Sequence, residues 1–259
     1  MKKALIHVLF LFFISFSQAQ VQDSVKIKGI DSTITSGKDA KYWFKKGVVA
    51  DDSSRYKEAI DCYTKAIKLN PNDTNAYFNR AVSKTEIDRY QDAIKDYTHA
   101  IKLNPNFADA YYSRGVAEEE LDMFKEAIHD YTKAIEINPL DTEVYYSRAI
   151  AKNVLLMYKQ AIEDFTKVIE LSPKNAEAYN DRGIANDELK QYEAAIEDFS
   201  KAIELDPKHQ DAYFNRAFTK YKLGRIEEAY EDYLLSRDLD SNPSEVDKNP
   251  NALKKIFKK

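Results

Sequence analysis

Five of the seven prolines, Pro71, Pro105, Pro139, Pro173 and Pro207, follow one another at intervals of 34 residues. A fixed period of this length marks a stack of similar supersecondary units, each able to bury its apolar face only against its neighbours. With each proline at position 32 of a unit, the units run 40–73, 74–107, 108–141, 142–175, 176–209 and 210–243. Position 20 is then Ala throughout: Ala59, Ala93, Ala127, Ala161, Ala195 and Ala229. Position 24 is always aromatic (Tyr63, Tyr97, Tyr131, Phe165, Phe199, Tyr233), and position 8 is always small (Gly47, Ala81, Gly115, Ala149, Gly183, Ala217). No insertion or deletion interrupts the series.

Each unit reads as two amphipathic helices joined by a turn. In the second unit, Tyr77, Ala81 and Ile87 mark the first helix. Ala93, Ile94, Tyr97, Ala100, Ile101 and Leu103 mark the second, at the i, i+3, i+4, i+7 spacing of one helical face. The proline at position 32 has no N–H and closes the second helix, and Asp73 or Thr74 is placed to cap the next one. Six Gly and seven Pro in 259 residues argue against turn-rich β architectures, and a hydrophobic fraction of 44% is too high for a disordered chain. The expectation is an all-α fold of six 34-residue helix-turn-helix repeats.

The pattern resembles the tetratricopeptide repeat (TPR), whose W-x2-L-G-x2-Y, A-x3-F and P elements appear in the first unit as Trp43, Gly47, Ala59, Tyr63, Ala66 and Pro71. Other units place Tyr77, Tyr111, Tyr145, Tyr179 and Tyr213 at the first aromatic position. The resemblance covers 40–243. It implies a right-handed α-solenoid that serves as a non-enzymatic protein–protein interaction scaffold, with the first helices lining a concave groove. Position 5 of that groove carries Phe44, Phe78, Tyr112, Tyr146, Asn180 and Phe214, and position 6 contributes Asn79 and Asn215. Aliphatic residues at position 9 and mostly acidic ones at positions 2 and 13 complete an apolar floor with acidic margins. Such a groove suits a partner peptide or helix with apolar anchors and some Lys or Arg. The carboxylate clamp of chaperone-tail binders is absent: Asn79 matches its middle element, but Asp109 and Ser113 stand where its final cations belong.

Three departures from the family pattern are informative. Position 7, usually Leu, is Arg80, Arg114, Arg148, Arg182 and Arg216, and position 23 is Asp96, Asp130, Asp164, Asp198 and Asp232. The first unit lacks both, with Lys46 and Cys62 instead, which predicts a bidentate Arg–Asp contact between the two helices of a unit. Cys62, the only cysteine, is then expected as a small buried thiol, with a redox or intermolecular role as the alternative. The fourth unit has an apolar internal turn, Val154, Leu155, Leu156 and Met157, beside Met123 of the third. Met123, Val154, Leu156 and Met157 form an alternative partner patch, which would suit a structural or self-associating component.

A net charge of −4 argues against general nucleic-acid binding. His99, His129 and His209 lack metal-ligand spacing, and no phosphate-binding or nucleophile motif occurs, so no enzyme activity, cofactor or metal is expected. Residues 1–19 read as a signal peptide: Lys2 and Lys3, an apolar run, then Ser17 and Ala19 before the cut. Export to a bacterial periplasm or beyond is expected, with residues 20–39 as a flexible linker. Residues 244–259 form a C-terminal cap or tail. There Leu253, Ile256 and Phe257 face away from Lys254, Lys255, Lys258 and Lys259, leaving at most weak membrane contact. A periplasmic holdase chaperone is a further alternative function. Amino-terminal sequencing of the exported chain should begin at Gln20; a chain that retains Met1 would defeat the export reading.

Overall fold

The computed structural model describes residues 39–239, and within them twelve α-helices follow one another in six pairs. The pairs are α1 (Ala40–Asp51) with α2 (Tyr56–Leu69), α3 (Thr74–Thr85) with α4 (Tyr90–Leu103), and α5 (Ala108–Glu119) with α6 (Phe124–Ile137). They continue as α7 (Thr142–Val154) with α8 (Tyr158–Leu171), α9 (Ala176–Glu188) with α10 (Tyr192–Leu205), and α11 (Gln210–Lys222) with α12 (Ile226–Leu239). The first helix of a pair is called A and the second B. Each A packs on its own B, each B on the next A, and consecutive A helices also touch in most repeats. The result is an α-solenoid with the A helices on its inner side. The expected leader, linker and C-terminal tail, residues 1–38 and 240–259, lie outside the described residues.

The turn inside each repeat is set by one backbone feature. Position 15 has positive φ in all six repeats: Ser54, Asp88, Asp122, Leu156, Lys190 and Gly224. The N–H of position 16 then reaches the carbonyl of position 11, as in Arg55 N to Ala50 O at 2.8 Å and Met157 N to Lys152 O at 2.9 Å, which is the Schellman closure of a helix C-terminus. Only the sixth repeat uses glycine there. Leu156, β-unbranched but bulky, holds the left-handed conformation at a cost of about 1–2 kcal/mol.

Between repeats, B helices stop at position 30, two residues before the proline. The residue preceding Pro is extended, Asn70 at φ −135° and ψ 89°, because the proline ring excludes helical geometry there. Asp73 is the N-cap of α3, its Oδ1 accepting from Ala76 N at 3.1 Å, while Thr74 is already helical. Asp39, Asp141 and Asn175 cap in the same way, but Phe107 and His209 at the equivalent position provide no side-chain cap.

The small residue at position 8 exists to admit the ring at position 24. A Cβ on Gly47, Gly115 or Gly183 would lie 2.5–2.7 Å from the ring of Tyr63, Tyr131 or Phe199. Repeats 1, 3 and 5 carry Gly and repeats 2, 4 and 6 carry Ala, a two-repeat alternation that recurs at position 11.

All five Arg–Asp pairs form as predicted. Arg Nε meets Asp Oδ2 at 2.5–3.0 Å and a terminal guanidinium nitrogen meets Oδ1 at 2.6–2.7 Å. The remaining guanidinium nitrogen, unforeseen from the sequence, donates to position 25 of the preceding repeat: Thr64, Thr98, Thr132, Thr166 or Ser200, at 2.9–3.1 Å. Each guanidinium also lies 5.6–5.8 Å from the ring centre of the position-4 tyrosine. In even repeats Lys84, Lys152 and Lys220 add a bond to the same aspartate at 2.6–2.8 Å. Repeat 1 substitutes a Lys46–Glu58 pair at 3.2 Å, and Cys62 is a buried free thiol whose pKa is pushed up by that burial.

Asp164→Ala should destabilise the protein by about 3 kcal/mol, because it strands the largely buried charges of Arg148 and Lys152, and Arg148→Ala should cost less, because Lys152 still pairs with Asp164 at 2.7 Å. The double variant should lose at least about 1 kcal/mol less than the sum. Denaturant unfolding of the four proteins checks this, and additive losses would exclude a direct pair.

Candidate functional site

The inner face is built by positions 2, 5, 6, 9 and 12 of the A helices. Its position-5 rings rest on the position-24 rings of their own repeats. Phe44 lies 5.6 Å from Tyr63, Phe78 5.7 Å from Tyr97, Tyr112 5.7 Å from Tyr131 and Tyr146 5.8 Å from Phe165, between ring centres. Phe214 stands off at 6.4 Å from Tyr233. Phe78 also meets Phe107 at 4.8 Å.

Polar atoms at position 5 reach position 6 of the next repeat. Tyr112 Oη and Ser147 Oγ are 3.5 Å apart, Tyr146 Oη donates to Asp181 Oδ2 at 2.6 Å, and Asn215 Nδ2 donates to Asn180 Oδ1 at 3.0 Å. Position 10 similarly reaches position 12 of the repeat before it: Ser83 Oγ donates to Asp51 Oδ1 at 2.7 Å and Thr219 Oγ1 to Asp187 Oδ1 at 2.8 Å. Two of the expected groove residues are consequently corrected. Tyr112 is only 8% exposed and Asn180 4%, so both belong to the joints between repeats and offer little open floor. Phe44, Phe78, Asn79, Tyr146 and Asn215 are half-buried, whereas Phe214 is 50% exposed.

The apolar turn of repeat 4 divides in the same way. Met123, Leu155 and Met157 are half-buried, and Val154 and Leu156 project, Leu156 to 69%. Among the described residues no three His, Cys, Asp or Glu side chains are grouped to hold a metal, and no helix is long and apolar enough to cross a membrane.

Family models for the tetratricopeptide repeat match residues 40–73, 108–140 and 176–209, and further TPR models match 62–95, 83–122 and 199–231. Together they span well over half of the chain. The chain belongs to the tetratricopeptide repeat family. Among solved structures, this TPR protein is similar to MamA at 25% identity and a TM-score of 0.64, over 67% of this chain and 94% of that one. YrrB, described as a TPR protein with an unusual peptide-binding site, shares its fold at 24% identity and a TM-score of 0.65, over 76% of this chain and 98% of that one. A segment of MamA from Desulfovibrio magneticus RS-1, residue 41 to the end, shares it at 21% identity and a TM-score of 0.63, over 68% and 99%. No curated protein matches the sequence significantly.

Electrostatics distinguishes this TPR surface. Burial pushes the Asp181 carboxyl up to about 6 against the opposing bond from Tyr146. Asp141 and Glu143 are raised too, by burial first, and Glu143 also by the charge of Asp141. On the same face Asp51 is held at about 6 and Glu119 at about 7, again by burial and against hydrogen bonds from Tyr63 and Tyr131. His209 is raised, chiefly by its contact with Glu177 at 3.5 Å. Behind the floor, Glu118 occupies the position where repeats 2, 4 and 6 carry a lysine. It is buried, its Oε2 has no partner, and its Oε1 is 4.0 Å from Arg114 Nε, already committed to Asp130. Burial, then the charge of Asp130, pushes it up to about 8.

A carboxyl raised on folding stabilises fully below its ordinary pKa, here 4.5, and that contribution disappears as pH rises through about 8. Glu118→Gln, permanently neutral, should therefore soften the loss of stability between those limits. Its melting temperature at pH 8 should exceed the wild type's by a few degrees, about 1 kcal/mol for a chain of this size. Thermal melts across that range check the expectation; parallel pH slopes would refute it.

Proposed function

We propose that this TPR protein is an exported, non-enzymatic adaptor of the cell envelope that holds a segment of a partner protein along its A-helix face. The observation supporting this is the placing of Asp141 beside Glu143 and of Glu177 beside Asp181, with Asp141, Glu143 and Asp181 all held above their ordinary range on a surface that also presents aromatic rings. A cation arriving there would relieve both desolvation and mutual repulsion, so the partner segment carries Lys or Arg beside its apolar anchors. Phe78, Tyr146 and Phe214 are the rings offered to those anchors, with the half-buried amides of Asn79 and Asn215 beside them. The leader over residues 1–19 supports placement outside the cytoplasm.

A second reading rests on Leu156, which is both strongly exposed and held in a left-handed conformation unfavourable to leucine. An exposed leucine where the other repeats carry polar residues or glycine is a reason to place a partner on the repeat-4 turn, with Val154 beside it.

Affinity capture from envelope extract should compare the wild type with Glu143→Gln/Phe214→Ala and with Leu156→Asp. These changes spare the Tyr112–Ser147 and Tyr146–Asp181 contacts. A partner lost only with the first variant supports the inner face, and one lost only with Leu156→Asp supports the turn. For an inner-face partner, binding should strengthen as pH rises from 5 to about 7, since the carboxylates must ionise to receive the cation. Affinity that is flat or falling over that interval would sink the charge argument.

A further inference from the structure

The two ends of the described solenoid are apolar where a terminal repeat is expected to be polar. Position 10 of every internal A helix is a small residue sealed against the preceding repeat: Ser83, Ala117, Ala151, Ala185 and Thr219 are at most 1% exposed. In repeat 1 that position is Val49, larger and 57% exposed. At the other end, Phe214 and Phe218 are 50% and 53% exposed because no further A helix lies over them among the described residues. Internal B helices carry Thr or Ser at position 25 and Lys or His at position 26; α12 carries Leu234 and Leu235.

We propose that these faces dock on each other, repeat 6 of one copy receiving repeat 1 of a second copy, so that the internal junction continues between molecules. The internal pairings fix the register. Position 6 meets position 5 of the repeat before, as Asp181 meets Tyr146, which brings Lys45 onto the exposed ring of Phe214 as a cation–π contact. Position 10 meets position 12, as Ser83 meets Asp51, which brings Val49 onto Tyr221. Position 7 meets position 25, as Arg80 meets Thr64, which brings Lys46 against Leu234.

That last pair departs from the internal rule on both sides at once. The guanidinium donor is replaced by lysine and its hydroxyl acceptor by leucine, so a polar bond gives way to an aliphatic stem on an apolar side chain. Charge follows the same direction. Helix α1 carries Lys41, Lys45 and Lys46 with no acid before Asp51, while exposed Asp211, Glu227 and Glu231 belong to repeat 6, whose Lys222, over the Phe218 ring, is itself paired with Asp187. The contact is heterologous, so it generates open chains of copies and not a closed dimer. It covers Phe214 but leaves the inner face of repeats 3–5, with Glu143 and Tyr146, accessible, and it does not depend on the adaptor reading.

The test uses the natively processed chain, Val49→Asp and Phe218→Asp, each first checked for wild-type helical content. Sedimentation or light scattering should show the wild-type mean mass rising from low to high micromolar concentration. Each variant alone should remain monomeric, because one of its two ends is blocked. An equimolar mixture should give heterodimers and nothing larger, since the open repeat-6 end of Val49→Asp fits the open repeat-1 end of Phe218→Asp. A wild type that stays monomeric throughout would overturn the proposal, as it would if the chain's own terminal segments covered these faces. Association that persists in either single variant, or a mixture that forms no heterodimer, would overturn it equally.

Discussion

The arginine at position 7 ties three helices together with one planar group. Its fork binds the aspartate of its own B helix, and its last nitrogen binds a hydroxyl on the B helix of the repeat before. Apolar stripes drive the stacking but are indifferent to small slides along a helix axis. A bidentate pair is not, because displacement by even a fraction of a helical turn would leave a largely buried guanidinium and carboxylate unsatisfied. Repeated at five junctions, this contact sets the register from which both the inner face and the solenoid ends take their shape.

The inner face must serve two demands. Its side chains seal one repeat onto the next, and those left over are available to a partner. Tyr112 and Asn180 answer the first demand, Phe214 the second, although all three share position 5. The difference lies in what the following A helix brings to position 6. Ser147 and Asn215 supply polar partners within reach, whereas beyond repeat 6 the described structure has no further A helix. Burial of carboxyls along this face has a second consequence: Asp51, Glu119 and Asp181 keep their protons to a higher pH than exposed carboxyls do.

Repeats of one family need not be interchangeable, and here they alternate. Gly and Ala take turns under the position-24 ring, and lysine appears at position 11 only in even repeats. Odd repeats fill that place with Ala50, Glu118 and Asn186, and in the third and fifth the outcome for the aspartate beside it differs. Asn186 donates to Asp198 at 2.9 Å, while Glu118 brings a second acid next to Asp130. The third repeat is therefore the electrostatically weakest link in an otherwise balanced network.

Helix pairing and the Arg–Asp contact were both legible in the sequence. A 34-residue period with a 3.6-residue turn dictates which side chains share a face within a unit, and the joint loss of Arg and Asp in repeat 1 exposed their pairing through Lys46 and Cys62. The third arm of the arginine was not legible, because threonine at position 25 looks like any solvated helix residue until the next repeat is placed against it. The left-handed residue at position 15 was hidden for a related reason: glycine marks it only at Gly224, and elsewhere the helix closure imposes it on Ser54, Asp88, Asp122, Leu156 and Lys190. Which members of a periodic row stay open, and which carboxyls are desolvated, only the tertiary structure decided. Those properties belong to the distance between one repeat and the next, and periodicity within a unit carries no information about that distance.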